Sequence, residues 1–172
     1  MLDTIARYIV NVPDRSGARA LQFILGPIAD RLSSQVSDSA GLAIFGAASP
    51  IVKAVNVFHA FANGVPVLKA ANTNMAALAG TVLTATFNVF CFYIDSGGNL
   101  TSAMGTAGVA FTNIVFPIVP VRQAMIGYVI INPTGAGSFV GGTTNLDDAT
   151  VVPNAVYVNT IGAFDPSIIL GF

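Results

Sequence analysis

The sequence predicts a mainly β protein, an antiparallel β-sandwich or jelly roll preceded by an N-terminal, partly helical arm. Three observations carry that expectation. Short runs of β-branched and aromatic residues alternate with Gly, Pro and Asn turn formers from about Ile51 onward. Apolar residues fall at helical spacing only near the N-terminus. Ten of the fifteen charged residues lie in residues 1–69, and the remainder are Asp95, Arg122, Asp147, Asp148 and Asp165. Together these divide the chain into an arm, residues 1–50, and a β-domain, residues 51–172.

The arm is expected to open with a turn or two of helix through Leu2, Ile5 and Ile9, ended by Pro13. A short amphipathic helix follows, with Leu21, Ile24, Leu25, Ile28 and Leu32 on one face and Arg15, Arg19, Asp30 and Arg31 available to the other, interrupted or kinked near Gly26-Pro27. Ser33–Ser39 reads as a polar connector. In the β-domain, the alternation through Val55–Phe61, the Asn63-Gly64 pair and Val65–Leu68 predict a hairpin, because that dipeptide adopts the positive φ angles of a tight two-residue turn. Thr81–Ile94 reads as one long strand with apolar residues in both alternating sets, closed by the Asp95-Ser96-Gly97-Gly98-Asn99 turn. Further strands are expected at Ile114–Phe116, Ala124–Asn132, Ser138–Val140 and Ala155–Ile161. Strands apolar on both faces need a second layer or a neighbouring subunit.

Composition narrows the function classes. Of the 172 residues 53% are apolar and 9% charged, against a usual charged share of roughly 25%. The formal charge of −1 offers no field for nucleic acid, and no stretch clusters Lys or Arg with aromatics. There is no Glu, one His and one Cys. A triad or general base would have to centre on His59, whose neighbours Phe58 and Phe61 favour a packed or interfacial residue. Cys91, among Phe90, Phe92 and Tyr93, reads as a buried, inert thiol. Gly141–Asp148 is rich in oxygen ligands but lacks the spacing of a calcium loop, so a self-bonded turn is preferred. Gly135-Ala136-Gly137 reads as a turn, since no helix opens after it. No enzyme activity and no cofactor or metal is expected.

The uncharged stretches 70–94 and 96–121 are long enough for membrane spans. Asn72, Asn74 and Asn88 in the first and Gly97-Gly98, Pro117 and Pro120 in the second argue against continuous lipid-facing helices. An acid at Asp3 and the lack of a following apolar core give no signal-peptide pattern. Such a charge-poor surface has to be dressed by uncharged polar groups or by other chains.

A set of local patterns resembles the β-domain of structural proteins of tailed bacteriophages, of the head decoration, capsid cement or head-fibre type. It comprises Phe61-Ala62-Asn63-Gly64, Lys69–Met75, Thr86–Phe90, Tyr93–Leu100, Phe116-Pro117, Ile126–Ile130 and Phe139–Asp147, within roughly 58–166. The resemblance implies a virion protein on a phage head, assembled in the host cytoplasm, whose partners are the major capsid protein and copies of itself as a trimer or dimer. No catalytic residue carries over. On this reading Leu21, Ile24, Leu25, Ile28, Leu32, Arg15, Arg19 and Arg31 are candidates for contact with the capsid. Phe87, Val89, Phe90, Phe92 and Tyr128 are candidates for the subunit interface. The alternative is a lectin-like or receptor-binding domain displayed on the virion.

Overall fold

The computed structural model describes residues 15–133 and 136–166. Helix α1 (Arg15–Ser33) leads into twelve strands: β1 (Gln35–Val36), β2 (Leu42–Ile44), β3 (Val52–Ala54), β4 (Phe58–Ala62), β5 (Val65–Lys69), β6 (Thr73–Asn74), β7 (Thr81–Val82), β8 (Asn88–Ile94), β9 (Leu100–Met104), β10 (Ala124–Ile131), β11 (Phe139–Val140) and β12 (Val156–Asn159). Every strand pairing among them is antiparallel. The sheets run β12-β10-β8-β9, β1-β4-β5, β2-β3-β6 and β11-β7. The mainly β class holds.

Strand β8 shows why both of its alternating sets are apolar. Phe90, Phe92 and Ile94 enter the main core with Phe58, Val36, Ile126 and Phe139. Val89, Cys91 and Tyr93 enter a second core with Ile114, Val119 and Met125, against which Phe116, Tyr128 and Phe164 also pack. The second layer is therefore supplied by the same chain. Strand β10 keeps both faces apolar across a register shift between Met125 and Gly127. Ile126 and Val129 both face the main core although three residues separate them, because the bulge inverts the two-residue alternation. At the bulge, a Cβ on Gly127 would stand 2.3 Å from the Val158 carbonyl oxygen, so only glycine lets β12 approach.

The Asn63-Gly64 hairpin forms as the sequence predicts, joining β4 to β5 with φ of 52° and 75°. Its buried set is Phe58, Ala60 and Ala62, while His59 and Phe61 face outward. The Asp95 carboxylate builds the β8–β9 turn by accepting from the amides of Gly97 (2.8 Å) and Asn99 (2.9 Å).

Several boundaries differ from expectation. Residues 35–44 belong to the β body, since β1 pairs with β4 and β2 with β3, so the arm ends at Ser33 and not at residue 50. The expected Ser33–Ser39 connector thus contains a strand, and Val36 is fully buried. The helix runs through Pro27 as one element. The carbonyl that proline leaves without an amide belongs to Phe23, which is exposed. Thr81–Ile94 is two strands: Thr86 donates its amide and hydroxyl to the Leu83 carbonyl, and Ala85 takes a φ of 60° between them. Around Ile114–Phe116 the ladder shrinks to a single bridge, Thr106 to Val115, after a 3-10 turn at Phe111–Asn113. The expected turn at Leu2–Ile9 lies outside the described residues, as does Gly135.

Candidate functional site

Helix α1 is the element that the body leaves uncovered. Its residues Leu21, Leu25, Ile28 and Leu32 are 39, 43, 51 and 66% exposed, and Phe23 is 83% exposed. A stripe so apolar normally faces a core; here it faces outward. The sequence places Ile24 and Arg15 on the same helix, but their side chains lie outside the described set. Arg19 is exposed.

Two adjacent charges fix this helix to the body. Asp30 accepts through Oδ1 from the Arg122 amide at 2.9 Å. Arg122 sits at a φ of 63°, a left-handed conformation that costs a non-glycine residue roughly 1–2 kcal/mol, so the carboxylate holds an unfavourable turn in place. Arg31 pairs with Asp30, lies 3.9 Å from Asp165, and donates to the carbonyls of Pro120 (3.1 Å) and Gln123 (3.5 Å). Arg31 is thus spent on holding α1 against residues 120–123, which corrects its assignment as a contact for another protein. At the helix end, the Ser33 carbonyl accepts from the Gly64 amide at 2.7 Å, and Ser34 Oγ accepts from the Asn63 amide at 3.0 Å. The hairpin turn therefore doubles as the C-terminal cap of the helix.

Between helix and body lies a groove of about 540 Å³, bounded by Gly26, Pro27, Asp30 and Arg31 on one side and Ile118, Val119, Val121 and Asp165 on the other. Of the lining residues on the body, Ile118 and Val121 are more than 70% exposed, as is Val109 earlier on the same segment. The sequence reading missed these three and Phe23. The available signal was their position among Gly108, Pro117 and Pro120, which deny them a strand and hence a regular buried face.

The residues expected at a subunit interface are placed otherwise. Val89, Phe90 and Phe92 are at most 1% exposed within one chain and cannot reach another, which overturns that expectation for them. Phe87 and Tyr128 are partly buried in the second core, where Tyr128 meets Phe116 edge-on at 5.0 Å. The alternation that nominated all five is explained by two cores inside the chain.

The remaining reactive groups stay apart. His59 is solvent-facing, and its Nδ1 lies 2.5 Å from Asp38 Oδ2, which also accepts the His59 amide. Hydrogen bonding from His59 lowers the Asp38 pKa below its ordinary value. Cys91 is buried, as expected, and burial pushes its thiol up to about 12. Burial also raises the neighbouring Tyr93, whose hydroxyl has no well-formed hydrogen bond. In the 141–148 loop, Asp147 accepts from the Ala48 amide and Asp148 from those of Thr150 and Val151, so these carboxylates serve turns. Among the described residues no three His, Cys, Asp or Glu side chains gather as a metal site. No described helix is long and apolar enough to cross a membrane.

Comparison with protein-family models, curated proteins and solved structures gives no match. The resemblance to phage head proteins rests on the quoted residues alone.

Proposed function

We propose that this chain is a structural subunit of a virus particle, a decoration or cement protein that assembles with its own copies on the head of a tailed phage. The observation that carries the reading is the uncovered apolar face of α1, together with the exposed side chains of Val109, Phe111, Val115, Ile118 and Val121 on the body. Large exposed apolar side chains in such number mark a place for another protein. The scarcity of charge supports the same reading, because an uncharged contact between chains avoids the desolvation cost of burying ions. A cement protein acts by adding contacts to a shell and needs no reactive centre. The local resemblance of residues 58–166 to head proteins supplies the shell as the partner.

The test is made on particles. Heads carrying the chain, and the same heads stripped of it, are heated while genome release is followed by dye fluorescence. The proposal expects stripped heads to open at a lower temperature and added protein to restore the higher one. Absence of the chain from purified heads, or identical release with and without it, refutes the proposal.

A further inference from the structure

The groove between α1 and the body has Asp165 in its wall. Phe164, just before it, packs into the second core, and Pro166, just after it, is buried. Residues 167–172 lie outside the described set; in sequence they are Ser-Ile-Ile-Leu-Gly-Phe, with four large apolar side chains and no charged one. We propose that this segment, Ser167 to Phe172, docks in the groove of its own chain and straps α1 to the body.

Reach, chemistry and tethering all favour this occupant. A cube with the groove's volume of 540 Å³ is about 8 Å on edge, which an extended chain crosses in two or three residues at roughly 3.3 Å each. Ile168, Ile169 and Leu170 are therefore within reach of Ile118 and Val121, whose side chains stand 83 and 73% exposed on the body side. Asp30 and Arg31, on the helix side, are already engaged, Asp30 with the Arg122 amide and Arg31 with the carbonyls of Pro120 and Gln123. Burial of apolar area is what the rest of the wall can reward, and an uncharged segment brings no ion to be desolvated.

The longer segment outside the described set, residues 1–14, fits less well. It carries Asp3, Arg7 and Asp14, and it joins α1 at Arg15, eleven residues or about 16 Å along the helix from Gly26. A separate chain has to compete with the millimolar effective concentration that a short tether gives. Pro166 sharpens that advantage, because its ring holds φ at about −65° and removes freedom that docking would otherwise cost. The outer stripe of α1, from Leu21 to Leu32, stays available to a shell, so the strap stands or falls independently of the cement role.

The experiment is disulfide trapping in the full chain at micromolar concentration under mild oxidation, read by intact mass without reduction. Val121→Cys is combined in turn with Ile168→Cys, Ile169→Cys and Leu170→Cys, and native Cys91 is buried away from the reaction. Leu83→Cys with the same three is the control: Leu83 is 63% exposed, in the turn whose Ala85 amide donates to the Pro133 carbonyl, beyond the end of β10 that is far from the groove. At least one Val121→Cys pair is expected to close within a single 17.6 kDa chain about tenfold or more faster than any Leu83→Cys pair, since effective concentration collapses where a tether cannot span the sites. Equal rates, or disulfides that join two chains, overturn the proposal.

Amide exchange gives a second measurement on chains without added cysteine. Residues 168–172 are expected to exchange about tenfold or more slowly than in the free hexapeptide, because docked amides exchange only when the segment opens. Gly26→Leu is expected to return them to the peptide rate while β8 and β10 stay protected. Gly26 lines the groove and a Cβ there meets nothing within 4 Å, so leucine fills the space from the helix side, and its higher helix propensity protects the fold. Peptide-like exchange in the native chain, or protection that survives Gly26→Leu, overturns the proposal.

Discussion

Phe90 distinguishes a core from an interface. Its ring is fully buried within one chain and meets Phe139 edge-on, with centroids 5.8 Å apart and planes at 67°. Replacing a buried phenylalanine by alanine costs about 3–5 kcal/mol, the sum of lost transfer energy and the cavity left behind. The lost edge-to-face pair, worth about 0.5–1.5 kcal/mol, falls within that figure. Against a domain stability of about 5–15 kcal/mol, Phe90→Ala removes about a fifth or more. In urea, with a slope of about 2 kcal/mol per molar, the midpoint falls by about 1.5–2.5 M. The assay is urea unfolding followed by near-ultraviolet dichroism. The loss is expected to be the same at two protein concentrations tenfold apart. A loss below about 1 kcal/mol, or one that appears only at the higher concentration, places Phe90 between chains and refutes the two-core account.

Three further outcomes follow from the same geometry. Arg31→Ala is expected to speed amide exchange throughout α1 by about tenfold or more while leaving β8 and β10 unchanged, since a charge-assisted hydrogen bond contributes about 1.5–3 kcal/mol; uniform exchange across both regions shows that Arg31 is not the clamp. The Asp95 carboxyl is held below its ordinary value of 3.8, chiefly by hydrogen bonding from Asn99, so its stabilisation is complete at neutral pH and disappears as pH falls through the carboxylate range. The urea-midpoint gap between native protein and Asp95→Ala should accordingly narrow as pH falls through the carboxylate range, and a gap that does not change between neutral and acid pH contradicts the assignment. Cys91, with its thiol at about 12 and no exposure, should resist iodoacetamide at pH 8 in the folded protein and react readily in urea, as read by intact mass; rapid labelling of the folded chain shows that the second core is open.

The sequence shows its features unevenly, for physical reasons. The Asn63-Gly64 hairpin and the Asp95–Asn99 turn are legible because their signals are local: one dipeptide, or one carboxylate accepting amides two and four residues on. Gln35–Val36 and Leu42–Ile44 escaped because strands this short acquire their identity from partners tens of residues away, Phe61 and Ala60 for the first, Lys53 and its neighbours for the second. The break inside Thr81–Ile94 was hidden because Leu83, Thr84 and Thr86 have good strand propensity, and only a φ of 60° at Ala85 turns the chain.

The sequence by itself determined the β class, the amphipathic helix, the buried thiol and the charge-poor surface. These depend on residue type and spacing along the chain. Only the tertiary structure decided where each apolar face points. It folded residues 111–119 and Phe164 over the second face of β8, which the pattern alone left open to a neighbour. It also left Leu21, Leu25, Ile28 and Leu32 in solvent, which the same kind of pattern would equally place in a core. Alternation and helical period record that a face is apolar, but its partner is set by contacts between distant segments, and here those contacts bury the strands and spare the helix.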